Sequence, residues 1–372
     1  MSGSRLSIAI VTGAIAPYSN RLFNALAAAH DLDLHVFTCA EIEPQRQWRV
    51  APATNYNLKV LSGLRYHIDD MRHVYFNPSV LKHLWQLRPS AVILGAFSPT
   101  MMVAAAYALA TRTPLGISTD GSLVTDPGKT SAVHRWVRNA LVPRASFGIG
   151  ASEASLKLLA HYGLPPGKGH IVPLIPAWNA PAMITPFEQR PFDVLFCGSV
   201  DEYRKGALFF GNVLIDCKAR GMTLRARIVG DGPDRQELES RLRAHGIPAQ
   251  FDGYLQPEQL PEAFSSTKLF MFPSRADPWG LVANEAVLCG TPVLCSPHAV
   301  SSVEMIDRFN VGQMLPVDVT AWSTATLNLL RNPETWLSLQ SNRAAALTSF
   351  SMEHAIQSYR GVLNDIAAAR QH

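Results

Sequence analysis

The chain has 372 residues, of which 47% are hydrophobic and 17% charged: enough apolar material for two packed cores and too much for a disordered chain. Its 33 Lys and Arg against 29 Asp and Glu leave a net charge of +4, and no basic run is long enough for a nucleic-acid tail, which argues against a dedicated polyanion binder. The five cysteines, Cys39, Cys197, Cys217, Cys289 and Cys295, form no Cys-x-x-Cys pair and have no histidine at zinc-ligand spacing, so they read as reduced core thiols.

In chain order, short apolar runs predict strands at Ser7–Val11, Asp33–Thr38, Ala91–Leu94, Leu115–Ser118 and Ser146–Gly150. A second series follows at Asp193–Cys197, Arg225–Val229, Leu269–Phe272 and Pro292–Cys295. Longer amphipathic stretches separate them, the pattern of parallel sheets covered by helices. The first apolar run is too short for a secretory signal and lacks a cleavage site, so a cytoplasmic location is expected. The stretch Ala91–Ala110 holds twenty residues without a charge, the minimal length of a membrane span. Ser98-Pro99-Thr100 divides it, and the expected reading is a buried strand, then a helix capped by Ser98 and opened by Pro99.

Between residues 173 and 192 five prolines, Pro173, Pro176, Pro181, Pro186 and Pro191, are spaced almost evenly. Proline removes donors and restricts its neighbours, so this stretch reads as a linker joining two doubly wound domains. The expected division is 1–180, 190–350 and a C-terminal helix at 351–372, whose apolar residues fall at helical spacing. Such an architecture places ligands at the carboxyl ends of its strands, in a cleft between the domains.

The richest stretch runs from Pro273 to Pro292. Gly280 precedes a helical segment, Leu281 to Cys289, whose first amides, those of Leu281 and Val282, point out of the helix start. Such an end attracts an anion. Glu285 lies one turn inside that helix and is placed to accept hydroxyls of a sugar ring, while Asp277 precedes it by eight positions.

From Asp277-Pro-Trp-Gly280 through Glu285-Ala286 to Gly290-Thr-Pro-Val293, the chain resembles the retaining glycosyltransferases of family four (glycosyl transferases group 1). Their hallmark is two acids separated by seven residues in this setting. Asp277 departs from the usual Glu by one methylene. The resemblance implies a GT-B fold: two Rossmann-like α/β domains with doubly wound parallel sheets, the first binding acceptor and the second binding a nucleotide diphosphate sugar, with the helix at 351–372 returning toward the first domain. Cys197-Gly198-Ser199 to Arg204-Lys205-Gly206 is similar to the family's segment that supplies cations to the donor diphosphate. Ser199 stands where an Arg is common, and Arg204 is expected to take its place beside Lys205. Ile228-Val-Gly-Asp-Gly-Pro233 resembles another family turn, and Asp252-Gly-Tyr254-Leu255 the segment meeting the nucleotide base. Both also fit ordinary turns of an α/β domain.

In the amino-terminal half, Gly13 to Tyr18 is similar to the loop that faces donor phosphate and acceptor. Asp120, after a strand, is open between binding the donor sugar or acceptor and capping a helix. His134 reads as part of a solvated helix face with Arg135 and Arg138.

A departing nucleoside diphosphate gathers negative charge, which the amides of Leu281 and Val282 and the cations Arg204 and Lys205 are placed to stabilise. No Asp-x-Asp stands in a suitable loop, since Asp31-Leu-Asp33 falls where a helix meets a strand, so no metal or other cofactor is expected. Retention is implied by the resemblance, either by front-face attack assisted by a donor phosphate oxygen or through a covalent intermediate. Asp277 is expected to orient sugar hydroxyls. Two other classes stay open: a catalytically silent nucleotide-sugar binder, and a phosphorylase or epimerase of the same two-domain fold. The acceptor, a glycan, lipid-linked or small molecule, is not legible. Arg65, His67, Arg72, His73, Lys82, His83 and Arg88, interspersed with Tyr66, Tyr75, Phe76 and Trp85, fit either an anionic membrane surface or an ordinary exposed helix and loop with buried aromatics.

Overall fold

The computed structural model describes residues 5–370 apart from 44, 45, 70 and 71, and for side chains also apart from 67–69, 72 and 301. The chain divides into two compact units, one running to Ile175 and resuming at Ser351, the other spanning Pro176–Phe350.

The first unit contains β1 (Ser7–Thr12), α1 (Pro17–His30), β2 (Asp33–Thr38), β3 (Asn57–Val60), β4 (Leu64–Asp69), β5 (Arg72–Phe76), α2 (Ser79–Leu87), β6 (Ala91–Leu94), α3 (Pro99–Ala110), β7 (Leu115–Thr119), α4 (Ala132–Leu141), β8 (Phe147–Gly150), α5 (Glu153–His161) and β9 (Gly169–Ile171). Seven of its strands form a parallel sheet in the order β3-β2-β1-β6-β7-β8-β9. The second unit contains β10 (Phe192–Cys197), α6 (Glu202–Lys205), α7 (Ala207–Ala219), β11 (Ala226–Val229), α8 (Arg235–Ala244), β12 (Ala249–Gly253), α9 (Leu260–Ser265), β13 (Thr267–Phe272), α10 (Leu281–Leu288), β14 (Val293–Cys295), α11 (Val300–Phe309), β15 (Gly312–Met314), α12 (Val319–Arg331), α13 (Pro333–Ser341) and α14 (Arg343–Ser349). Its sheet runs β12-β11-β10-β13-β14-β15, parallel throughout.

Within each unit the first strand lies beside the fourth of the parallel series, so the order reverses between β1 and β6 and again between β10 and β13. That reversal opens a crevice at the strands' carboxyl ends, where doubly wound sheets bind ligands. Every strand expected from an apolar run is present, displaced by two residues at most. Central strands such as β6 and β11 are buried at every position, as parallel strands covered on both faces must be.

Three expectations are corrected. The region from Leu64 to Trp85 is not a helix and loop with buried aromatics: β4 and β5 form an antiparallel hairpin leading into α2, and Tyr66, Phe76 and Trp85 are exposed while Tyr75 alone is buried. The side chains of His67 and Arg72 lie outside the described residues. Ser98 occupies the cap position of α3, but its hydroxyl turns to the Met101 sulfur and does not cap the helix. The proline-spaced stretch from Pro176 onward is no free tether. Trp178 belongs to the second unit's core, and the Arg190 guanidinium, 2% exposed, sits over the Trp336 ring and donates to the carbonyls of Thr185, Thr267, Cys289 and Gly290.

The last helix, α15 (Met352–Ala369), packs on the first unit through Ala355, Tyr359, Val362 and Ile366, one stripe at helical spacing. Asp365 fastens it, 3.0 Å from Lys168 and 2.9 Å from His170. Burial raises the Asp365 carboxyl, but those two partners outweigh it and hold its pKa below the ordinary value. Among the described residues no helix is long and apolar enough to cross a membrane.

Candidate functional site

In the second unit, the residues singled out in the sequence gather at the carboxyl ends of β10 and β13. β10 runs into Gly198 and the one-turn helix α6, whose first turn is capped by Asp201 accepting from the Arg204 amide at 3.0 Å. Gly206 ends α6 in the left-handed region, with its Cα against the Pro273 carbonyl, so no side chain fits there. The Ser274 hydroxyl and the Arg275 amide donate to the Arg204 carbonyl, at 3.0 and 2.7 Å, and tie the β10 loop to the β13 loop.

That tie sets Lys205 against Asp277. The Lys205 ammonium donates to the Asp277 carboxylate and lies 5.5 Å from the centre of the Phe272 ring. Asp277 is 7% exposed and its amide donates to the His298 carbonyl. Three residues on, Gly280 (φ 85°) turns the chain into α10. The Ala283 amide returns to the Gly280 carbonyl at 2.9 Å, while helix geometry gives Leu281 and Val282 no intrahelical acceptor. The Trp279 indole is buried beside this turn.

Glu285, 5% exposed, lies one turn further in. Burial pushes its carboxyl up to about 8, against a smaller opposing pull from the Trp178 indole N–H that faces it. Burial thus favours the protonated form of Glu285. The Cys197 thiol is within electrostatic reach of both Glu285 and Lys205, which places the end of β10 beside them; burial, helped by Glu285, raises that thiol so that it stays protonated. Trp178 was not legible as part of this group, because nothing in a proline-spaced segment marks one indole as facing a helix more than a hundred positions away.

The other named residues are distributed around this centre. Arg204 points its Nε to 3.5 Å from Asp201 and is partly exposed, so it neighbours Lys205 in sequence but holds a different acid. Gly198 (φ 147°) has open space over its Cα, and Ser199 follows it. Gly230 (φ 122°) packs its Cα directly on the Gly198 carbonyl, an approach no Cβ permits. Tyr254 and Leu255 are half-buried just after β12; Asp252 beside them is held by Arg227 at 2.6 Å.

The first unit brings together a second group. Gly13 follows β1 and accepts from the Cys39 and Ala40 amides through its carbonyl, leaving its other face open toward Glu43. Tyr18, at the start of α1, has its hydroxyl pushed up to about 12, first by burial and then by the nearby acid Asp120. Asp120 itself is exposed at the end of β7 and starts no helix: the next turn is capped by Asp126 and α4 by Ser131. The helix-cap alternative for Asp120 is thereby removed. His134 is exposed but not merely solvated: its Nδ1 lies 3.3 Å from Arg138, and burial with that cation lowers its pKa. Among the described residues no three His, Cys, Asp or Glu side chains gather so as to hold a metal ion.

Residues 191–332 match the family model described as glycosyl transferases group 1, and residues 13–174 match the glycosyl transferase 4-like domain. The chain is similar to a sulfoquinovosyl transferase of Arabidopsis thaliana, 39% identical over 30% of this chain and 22% of that protein. It is also similar to an alpha-D-kanosaminyltransferase of Streptomyces kanamyceticus, 27% identical over 48% of this chain and 47% of that one. These matches therefore span less than half of either relative. Among solved structures, the Anabaena protein HepE in complex with UDP superposes with a TM-score of 0.75 at 18% identity, covering 96% of this chain and all of that one. Sucrose-phosphate synthase of Thermosynechococcus elongatus superposes at 0.73 and 18%, covering 98% of this chain and all of that one. Two parallel α/β units of this order, and family models covering most of each, show that the chain belongs to the family-four, group 1 glycosyltransferases of GT-B fold.

Proposed function

We propose that this protein transfers a sugar from a nucleoside diphosphate sugar to a hydroxyl of an acceptor, with retention at the anomeric carbon and without a metal. The observation that carries the reading is the pairing of Lys205 with Asp277 at the start of α10, one turn before the buried Glu285. HepE was crystallised with UDP, and so was a pneumococcal O-GlcNAc transferase of similar fold, which supports a uridine nucleotide as donor.

In this reading the diphosphate lies against the amides of Leu281 and Val282, where unpaired N–H groups and the helix dipole favour negative charge. Lys205 moves its ammonium from Asp277 to the departing phosphate, and Arg204 adds a second cation. Freed of its partner, the Asp277 carboxylate accepts hydroxyls of the transferred sugar. Glu285 accepts the two ribose hydroxyls, and Tyr254 and Leu255 border the base. Gly198 and Ser199 leave room for the phosphates, and Gly13 and Asp120 serve the acceptor side. The acceptor oxygen attacks the anomeric carbon as its bond to the phosphate breaks. The hydroxyl proton passes to a phosphate oxygen on the same face. Cation and helix-start stabilisation of the leaving diphosphate makes a metal unnecessary.

The test is a panel of UDP- and GDP-sugars screened by thermal shift, followed by proton NMR of the product formed from the stabilising donor. Retention predicts the donor's anomeric configuration in the product; the opposite configuration overturns it.

A further inference from the structure

Helix α4 is turned against its own pattern. Ala132, Val133, Trp136, Val137 and Ala140 form an apolar stripe at helical spacing, yet Val133 and Trp136 are each 71% exposed. The side chain that the helix buries is instead Arg138, held 3.4 Å from Asp126 and 4.6 Å from the centre of the Phe97 ring. Asp126 also receives the Tyr162 hydroxyl and the Gly128 amide, so the arrangement is locked by a satisfied polar cluster. Ser131 caps the helix, and the loop before it exposes Leu123 and Val124. Between Gly121 and Ala145 the cations are Lys129, Arg135, Arg138 and Arg144, and the only acid is Asp126. With Asp126 and Arg138 paired, Lys129, Arg135 and Arg144 remain exposed with no acid of this segment to offset them.

We propose that this face of α4 docks on an anionic phospholipid bilayer. The occupant is chosen by charge: apolar side chains including a tryptophan, on a segment whose exposed Lys and Arg have no exposed acid among them, match the boundary between acyl chains and negative headgroups. A second copy of the chain fits poorly, because a two-fold contact would set the three cations against themselves. The surface lies on the chain segment that follows Asp120, so docking brings the carboxyl edge of the first sheet toward lipid-borne molecules. The inference is independent of the donor chemistry.

The experiment is co-sedimentation of the full chain with vesicles of phosphatidylcholine alone or with 40% phosphatidylglycerol, the mixture being a design choice of roughly biological charge density. Binding is expected on the mixed vesicles, weak on phosphatidylcholine, and lost at high salt. Val133→Ser with Trp136→Ser should weaken partitioning at least roughly tenfold, as deletion of buried apolar area requires, with an unchanged melting temperature because both positions are exposed. No binding to the mixed vesicles overturns the proposal. So does undiminished binding of the double variant, or loss following Tyr66→Ser with Trp85→Ser on the hairpin and α2 instead. A concentration-dependent dimer abolished by Trp136→Ser would assign the face to a second copy and likewise overturn it.

Discussion

Lys205 and Asp277, 72 positions apart, form an ion pair that joins the end of α6 to the loop opening α10. Both side chains are mostly shielded from water, so the pair holds the two loops in register and keeps a cation and an acid ready where the helix begins. Removing one partner strands the other, a loss of about 3–5 kcal/mol for well-buried pairs. Lys205→Met should therefore unfold at lower urea than the parent, and Lys205→Met with Asp277→Asn should recover part of the loss. A coupling energy near zero in that cycle would show that the pair holds nothing together.

Glu285 predicts a pH signature. Burial lifts the folded carboxyl to about 8, whereas the unfolded chain releases the proton near the ordinary value of 4.5. The folded state thus binds the proton more tightly, and this contribution to stability is complete below about 4.5 and lost as pH rises to about 8. Glu285→Gln should flatten the decline in stability between those limits, measured by urea unfolding at several pH values.

The same group links proton release to nucleotide binding. Ribose hydroxyls donate to a carboxylate better than to a neutral acid, so affinity for UDP should rise from pH 6 to 9 with proton uptake by the buffer. Glu285→Gln should bind UDP roughly 10–100-fold more weakly at pH 9, the scale of a lost charge-assisted interaction, and without pH dependence. Calorimetry in two buffers of different ionisation enthalpy reads both effects.

Arg190 is a buried cation with carbonyls in place of a counter-ion. Its guanidinium is pushed down to about 10 by burial, and Phe264, Thr267, Cys289 and Gly290 supply acceptors from three segments. Arg190→Ala should cost about 3–5 kcal/mol, leaving those carbonyls unpaired, and Arg190→Lys should restore little, since an ammonium lacks the planar fork. Thermal unfolding of both variants decides it.

Gly230→Ala should be far more damaging than Gly221→Ala. Both glycines have positive φ, but a Cβ at 230 would stand 1.8 Å from the Gly198 carbonyl oxygen, while the space at 221 is open. The second substitution should cost about 1 kcal/mol, the ordinary penalty for a left-handed alanine, and only the first should also abolish nucleotide binding.

Much of this is legible in the amino-acid sequence. Runs such as Ala91–Leu94 and Leu269–Phe272 declare themselves because central parallel strands are apolar at nearly every position. β3 escaped because it is an edge strand exposed at all four residues, and β9 and β15 because three residues carry no pattern. At the candidate site, Gly280, Glu285, Lys205 and Asp277 were legible as residue types at fixed spacing. The salt bridge between the last two was not, since it depends on how two loops from different strands are tied through the Arg204 carbonyl. Arg190 was invisible for a related reason: most of its partners are backbone carbonyls, which no residue type announces.

The central claim is that a nucleoside diphosphate binds where the chain enters α10. The most direct measurement is a crystal structure with UDP bound. The account predicts phosphate oxygens within hydrogen-bond reach of the Leu281 and Val282 amides, the Lys205 ammonium turned from Asp277 toward them, and the ribose hydroxyls on Glu285. Diphosphate density elsewhere, with the Lys205–Asp277 pair intact and Glu285 untouched, would contradict it.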